Sequence, residues 1–151
     1  MRLTSHTDYS LRLLLYLAVH PGEPISVPDV AAAYGLSRHH LAKVSQNLAR
    51  LGYVETTRGR SGGLTLARPP AGIRVGAVVR GVEPDWALVE CLSEGGGCVI
   101  APACRLKGAL REARDAFLAV LDGYSLEDLL TNRAHLGALL AITVPARAAP
   151  A

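Results

Sequence analysis

The sequence predicts a mainly α fold with one small β-hairpin, built as a winged helix-turn-helix followed by a long dimerisation helix. Three observations support this fold class. Residues 1–68 show three helical segments and then two short β-rich segments around a glycine-rich turn. Residues 105–122 repeat apolar side chains at alternating spacings of four and three, as in a two-helix seam. Half of the 151 residues are apolar, which is enough to bury a core without disulfide bonds.

The first two helices are bounded by clear start and stop signals. The first is predicted over residues 5–20 and ends at a Pro-Gly pair. The second follows Ser26, whose hydroxyl can cap the first turn, and Gly35 closes it. The link over residues 34–36 is short enough for the tight turn of a helix-turn-helix, so the third helix is expected to be the recognition helix.

The third helix is predicted to start after Ser37, run to Leu51 and stop at Gly52. Its apolar residues form one stripe, and its polar residues share the opposite face. Any surface helix has a polar outer face, but this one offers cations for phosphates and hydrogen-bonding groups for base edges in the major groove. The predicted DNA contacts in this region are Ser37, Arg38, His39, His40, Lys43, Gln46 and Arg50.

The predicted hairpin supports the nucleic-acid interpretation. Arg58 and Arg60 flank its glycine-rich turn, where they can follow a phosphate backbone or enter a minor groove. The turn lacks the Lys-Ser/Thr ending of a nucleotide-binding loop, which argues against phosphate hydrolysis. Residues 1–68 hold eight basic and four acidic residues, whereas residues 69–151 hold eight basic and nine acidic ones. The positive charge therefore lies in the predicted DNA-binding part.

Pro69 and Pro70 mark the boundary between the two parts of the chain. We predict a winged helix-turn-helix domain over residues 1–68 and a cysteine loop with a dimerisation helix over residues 69–144. The Ala/Pro-rich tail over residues 145–151 has no pattern and is expected to be disordered.

The second part is predicted to contain a short helix over residues 75–83, a long loop over residues 83–103, and the long helix over residues 105–122. Gly123 stops the long helix, and Ser125 marks the capped start of another short one. The long helix carries the apolar seam, so we expect it to form the interface of a homodimer. The seam consists of Leu106, Leu110, Ala113, Phe117 and Val120.

The chain's three cysteines, Cys91, Cys98 and Cys104, lie within fourteen residues in and beside the long loop. Clustering in a glycine-rich polar segment favours a metal centre over simple burial, and an odd number argues against a disulfide framework. Iron–sulfur clusters and zinc take four ligands, so a fourth donor must come from elsewhere, and the spacing does not locate it. A thiol switch without metal remains an alternative.

Other classes of protein are disfavoured. The longest apolar runs are too short to span a membrane, and the N-terminus lacks the features of a secretory signal, so we expect a cytoplasmic protein. The histidines and acidic residues form no recognisable catalytic arrangement, so we expect no enzyme. An iron–sulfur electron carrier or cluster-delivery protein is the rival from another class, but it would need no basic hairpin.

Four segments together resemble the iron–sulfur winged-helix regulators, and within that family the nitric-oxide-sensing repressors most closely. The resemblance extends from Met1 to about Leu130. The segments are the N-terminus at residues 1–9, the start of the third helix at 37–40, the hairpin turn at 58–64, and residues 102–107.

This resemblance implies a homodimeric repressor that binds palindromic double-stranded operator DNA and leaves it when nitric oxide nitrosylates an iron–sulfur cluster. A 4Fe–4S cluster is favoured, with 2Fe–2S as the alternative. The implied ligands are Cys91, Cys98 and Cys104, with Asp8 of the partner subunit as the fourth. Sister regulators of cluster assembly have a histidine where this chain has Lys107, which disfavours that branch.

Asp8 suits a sensing role, because a carboxylate is a hard, weak ligand beside three soft thiolates. Arg12 lies one turn later and can pair with Asp8 or with the cluster. Asp8 can also simply favour the dipole at a helix start. His6 stands where relatives usually have an aromatic or apolar residue, so it is either an alternative ligand or a packing residue.

Overall fold

Three helices and a two-stranded hairpin form the first part of the fold, in the predicted order. The computed structural model describes residues 2–59 and 62–141, so Arg60 and the predicted tail lie outside the described residues. The elements are α1 (Ser5–Val19), α2 (Val27–Tyr34), α3 (Arg38–Arg50), β1 (Val54–Thr57) and β2 (Gly63–Leu66). The two strands pair antiparallel, with Val54 opposite Leu66. The predicted fold class is confirmed.

Each of these helices begins at a side-chain cap. The hydroxyls of Thr4, Ser26 and Ser37 accept hydrogen bonds from the backbone N–H groups three residues later. Gly35 ends α2 with a φ of +63°, a left-handed conformation that side chains rarely adopt. Gly35 therefore allows the tight turn that sends the chain into α3.

The second part contains α4 (Val75–Val82), α5 (Arg105–Asp122) and α6 (Arg133–Ala141), with short 3-10 turns between them. The bounds of α5 match the prediction, and α4 ends one residue earlier than expected. The short helix expected after Ser125 is a single 3-10 turn, Asp128–Leu130. Helix α6 was not predicted.

One hydrophobic core joins both parts. Helix α1 lies at its centre, packed against α3, α4 and α6. The core includes Leu14 and Leu41 from the first part and Ile73, Val78 and Leu130 from the second. The predicted domain boundary near residue 68 stays a prediction, because this core is continuous across it.

An ion pair joins α4 to α5. Arg80 donates two hydrogen bonds to the Asp122 carboxylate, each 2.5 Å long, and this contact lowers the pKa of Asp122. A Cβ atom at Gly76 would lie 2.0 Å from Asp122 Oδ1, so glycine lets the two helices approach closely. Among the described helices, none is long and apolar enough to span a membrane.

The predicted seam of α5 is only partly covered. Leu118, which is not a seam residue, is the buried residue of this helix, and the Phe117 ring lies 6.5 Å from Trp86. Leu106 and Val120 remain 63% and 62% exposed. An amphipathic helix with one apolar edge on the core and another facing outward is typical of an interface between subunits.

Candidate nucleic-acid interface and metal centre

The outer face of α3 is free for a ligand. His39, Lys43, Gln46 and Arg50 are exposed, as are Ser37 and Arg38 at the start of the helix. Leu41, Val44 and Leu48 are fully buried on the opposite face. The helix thus separates its polar and apolar faces as the sequence predicts, and its polar face can meet a nucleic acid.

Two of the predicted DNA contacts also have structural roles. Ser37 Oγ accepts a hydrogen bond of 3.4 Å from the His40 backbone N–H and so caps α3. The half-buried His40 ring packs edge-on against Tyr9, with ring centres 4.9 Å apart. His40 therefore helps to fix α3 on α1.

Asn47 is a functional candidate that the sequence analysis missed. Its amide lies 2.9 Å from His6 Nε2 on α1, and its carbonyl oxygen accepts a hydrogen bond of 2.8 Å from the exposed Arg50. The separation of 41 residues between His6 and Asn47 left no sequence signal. In this structure His6 joins α1 to α3 through this contact, and its role as an alternative ligand stays a prediction.

The direction of the bond between His6 and Asn47 follows from Arg50. A guanidinium can only donate, so the Asn47 oxygen faces Arg50 and the amide nitrogen faces His6. His6 Nε2 must then accept and carry no proton. The pKa of His6 is also lowered, first by burial and then by the nearby His40, while the Glu83 carboxylate raises it.

The hairpin turn depends on glycine. A Cβ atom at Gly62 would lie 2.2 Å from the Thr57 carbonyl oxygen, and Gly59 adopts a φ of +110°. Arg58 is exposed beside this turn, and its DNA role stays a prediction, as does that of Arg60. Arg68 instead donates two hydrogen bonds to the Gly52 carbonyl oxygen and lies over the Tyr53 ring.

The three cysteines are free and half-buried. Cys91 lies in the 3-10 turn Glu90–Leu92, Cys98 in irregular loop, and Cys104 at the N-cap of α5. A Cβ atom at Gly96 would lie 2.1 Å from the Glu90 carbonyl oxygen, so glycine lets the loop fold back on the turn that holds Cys91.

The donor types fit an iron–sulfur cluster, because cysteine thiolates are the usual ligands of such clusters and the segment holds three free thiols. Within the described part of the chain, however, no three His, Cys, Asp or Glu side chains are grouped closely enough to hold a metal ion. A single chain therefore does not bring Cys91, Cys98, Cys104 and Asp8 together.

Asp8 is paired with Arg12, one of the two pairings that the sequence allows. Arg12 donates from Nε to Oδ1 at 3.0 Å and from Nη2 to Oδ2 at 2.9 Å. The guanidinium also lies 5.8 Å from the Tyr34 ring at the end of α2. The side chains are 41% and 46% exposed, so the pair contributes less than about 1 kcal/mol and is easily exchanged.

Glu83, at the C-cap of α4, was also missed. Its Oε2 atom accepts hydrogen bonds from the Thr4 backbone N–H at 3.2 Å, from the Thr4 hydroxyl at 3.1 Å, and from the Thr7 hydroxyl. These contacts tie the beginning of the cysteine loop to the first turn of α1. Glu83 and Thr7 are 76 residues apart, so no local pattern pointed to them.

Comparison with known proteins gives a family match over most of the chain. The family described as "Rrf2: Iron-dependent Transcriptional regulator" matches residues 3–132. The HTH-type transcriptional regulator NsrR of Geobacillus kaustophilus is 52% identical over 142 residues, and that of Bacillus subtilis is 49% identical. Each alignment covers 93% of this chain and 97% of the relative.

Solved structures show the same fold. CymR, the global cysteine regulator of B. subtilis, superposes with a TM-score of 0.71 at 31% identity, covering 87% of this chain and 98% of that one. T. potens IscR gives a TM-score of 0.70 at 27% identity, covering 87% of this chain and 88% of that one.

Proposed function

Because the chain belongs to the Rrf2 family of transcriptional regulators, we propose that it is a homodimeric iron–sulfur repressor that nitric oxide releases from operator DNA. The family match confirms the prediction of a transcriptional regulator and not an enzyme. The observation that carries the proposal is that one hydrophobic core joins two features. These are α3 with its exposed polar face and the segment that holds three free thiols. We place the protein in the cytoplasm, where it meets double-stranded DNA.

DNA binding is assigned to α3 and the hairpin. In a dimer joined through α5, two recognition helices would enter successive major grooves about 34 to 36 Å apart, so the operator is a palindrome. We assign Gln46 to base edges, and Lys43, Arg50 and Arg58 to phosphates. The exposure of these side chains supports the assignment.

The cluster is assigned to Cys91, Cys98 and Cys104, with Asp8 of the partner subunit as the fourth ligand. When bound, a 4Fe–4S cluster would supply iron to which nitric oxide binds. The weak, half-exposed pair between Asp8 and Arg12 supports this assignment, because the carboxylate can leave Arg12 at little cost.

The switch proposed for this chain is the exchange of the Asp8 carboxylate between two sites, the metal centre of the other subunit and Arg12 of its own chain. Asp8 would hold the metal centre in one state and Arg12 in the other, and Arg12 lies over Tyr34 beside the turn into α3. The first helix of the DNA-binding unit would thus respond to the state of the metal centre. Two sites with a physical link between them are what allosteric coupling needs.

Anaerobic purification with iron and sulfide analysis, visible absorption and a duplex-binding titration tests this function. We expect brown protein with iron and inorganic sulfide, and salt-dependent binding to a selected duplex. Cys98→Ser should remove the absorption. Colourless protein that binds DNA would instead indicate a thiol switch without metal. Brown protein that does not bind DNA would indicate an electron carrier.

Replacing Asp8 tests the fourth ligand separately. Asp8→Ala should still take up iron and sulfide, because three thiolates remain, but should bind the operator less tightly or respond to nitric oxide with altered kinetics. A variant that equals the wild type in spectrum, affinity and response would place the fourth ligand elsewhere, and His6→Ala would then be examined in the same way.

A further inference from the structure

Glu83 joins the cysteine loop to the DNA-binding unit through one oxygen atom. It is the first residue after α4, where the chain leaves the core toward Cys91. Its Oε2 atom accepts all three hydrogen bonds from Thr4 and Thr7 in the cap of α1. Thr7 is completely buried, so this contact lies at the inner side of the helix start and not on the open surface.

The same turn of α1 also holds the recognition helix. His6 accepts a hydrogen bond of 2.9 Å from the Asn47 amide, and Asn47 in turn orients the guanidinium of Arg50. Tyr9 adds an aromatic contact to His40. The start of α1 is therefore held by Glu83 on one side and holds α3 on the other.

We propose that Glu83 is a positioning residue for DNA recognition, acting through the first turn of α1 and the bond between His6 and Asn47. A displacement where the cysteine loop begins changes the capping of α1. It thereby moves His6 relative to Asn47 and changes the presentation of Arg50. This proposal rests on the proposed function for its DNA readout, but the contact between α1 and α3 can be measured without DNA.

The sign of the effect separates this role from simple electrostatics. Glu83→Gln removes a negative charge, which by long-range attraction alone would strengthen binding to DNA. As a positioning residue, Glu83 should instead weaken specific binding when replaced, because a neutral amide oxygen is a poorer acceptor for three donors. Glu112→Gln is the matched control, since it removes the same charge from an exposed position on α5.

The DNA experiment uses the full-length protein and two duplexes of equal length. One is selected from a random-sequence pool by the wild-type protein, and the other is its shuffled sequence. We expect Glu83→Gln to lower the ratio of the two affinities about tenfold, which corresponds to about 1.4 kcal/mol. Glu112→Gln should leave the ratio unchanged. An unchanged or raised ratio for Glu83→Gln would overturn the proposal.

Thr7→Val tests the same contact in case Glu83→Gln does not fold. It removes one hydrogen-bond donor and keeps the shape of a buried side chain. It should lower the ratio in the same direction by a smaller factor, while thermal unfolding confirms that every variant is folded at the assay temperature. A wild-type ratio for Thr7→Val would also contradict the proposal.

The second readout is the NMR signal of the Asn47 side-chain amide in metal-free protein. Glu83→Gln should shift this signal and Glu112→Gln should not, although the hydrogen bonds of Glu83 go to Thr4 and Thr7 and those of Asn47 to His6 and Arg50. No shift would refute the proposal whatever the DNA result. If the wild type prefers neither duplex but the signal shifts, the proposed function fails while the link from Glu83 to α3 stands.

Discussion

The winged helix-turn-helix and the cysteine-bearing region, which is the cysteine loop with α5, differ in how fully one chain buries their apolar side chains. In the first, Leu14, Leu41 and Val44 are fully buried, and the polar side of α3 faces outward. In the second, Val99 and Ile100 beside Cys98 are 93% and 65% exposed. The DNA-binding unit thus buries its apolar side chains within its own chain. The cysteine-bearing region instead exposes apolar side chains, which a second subunit would cover, and thiols that are not grouped, which a metal centre would bind.

The largest expected effect comes from breaking the proposed dimer. Leu106→Glu combined with Val120→Glu should give monomers, because both side chains are exposed on α5 and contribute little to the fold of one chain. Operator affinity should fall toward the non-specific level, a loss on the order of 10³-fold. Light scattering and a duplex titration measure the two quantities.

Ala71→Glu is the control for that experiment, since it places the same charge at an exposed site in a 3-10 turn. It should remain dimeric and bind normally. A stable dimer of the double variant would remove α5 from the interface.

The difference in burial also predicts that substitutions in the two regions change the free energy of unfolding by unequal amounts. Leu41→Ala should lower the free energy of unfolding by about 2 to 5 kcal/mol, because it leaves a cavity in the core below α3. Cys98→Ser should change it by less than about 0.5 kcal/mol in metal-free protein, since it lies in irregular loop. Urea unfolding measures both, and similar losses would mean that the cysteine loop is part of the folded core.

Much of this difference is visible in the sequence, because its causes are local. Ser26, Ser37 and Gly35 begin and end helices as their side chains and backbone preferences dictate. The apolar repeat gives the bounds of α5. Such signals need only neighbouring residues.

The features that the sequence did not reveal depend on residues far apart in the chain or on weak local patterns. Glu83 meets Thr7 across 76 residues, and no periodic pattern connects them. Helix α6 is short and mostly small and apolar, and such a run predicts neither helix nor strand, although Asn132 just before it is a residue type that favours a helix start. The described residues also form no group of three or more His, Cys, Asp or Glu side chains, so the proposed ligand set follows from neither a local sequence pattern nor the single-chain structure.

Within the DNA-binding unit, base contacts should matter more on the cognate duplex than elsewhere. Gln46→Ala should cost about 1 to 3 kcal/mol on the selected duplex and little on its shuffled version, because it removes an exposed group from the face proposed to meet base edges. Parallel anisotropy titrations compare the two. Equal losses on both duplexes would show that α3 does not read bases.

The smallest effect is expected at the hairpin. Arg58→Ala should weaken binding to all sequences alike and reduce the slope of log affinity against log salt by about 1, as expected for one lost phosphate contact. A salt series on both duplexes gives this slope. A loss confined to the selected duplex would instead assign Arg58 to base recognition.

The central claim is that the cysteine-bearing region controls a DNA-binding unit that is already folded. The most direct test measures affinity for one selected duplex, at one salt concentration without oxygen, for cluster-loaded, nitric-oxide-treated and metal-free protein. The loaded protein should bind at least about tenfold more tightly than the other two, a difference of about 1.4 kcal/mol, while all three keep the same helical circular dichroism. Equal affinity in all three states would show that the cysteine-bearing region does not control DNA binding.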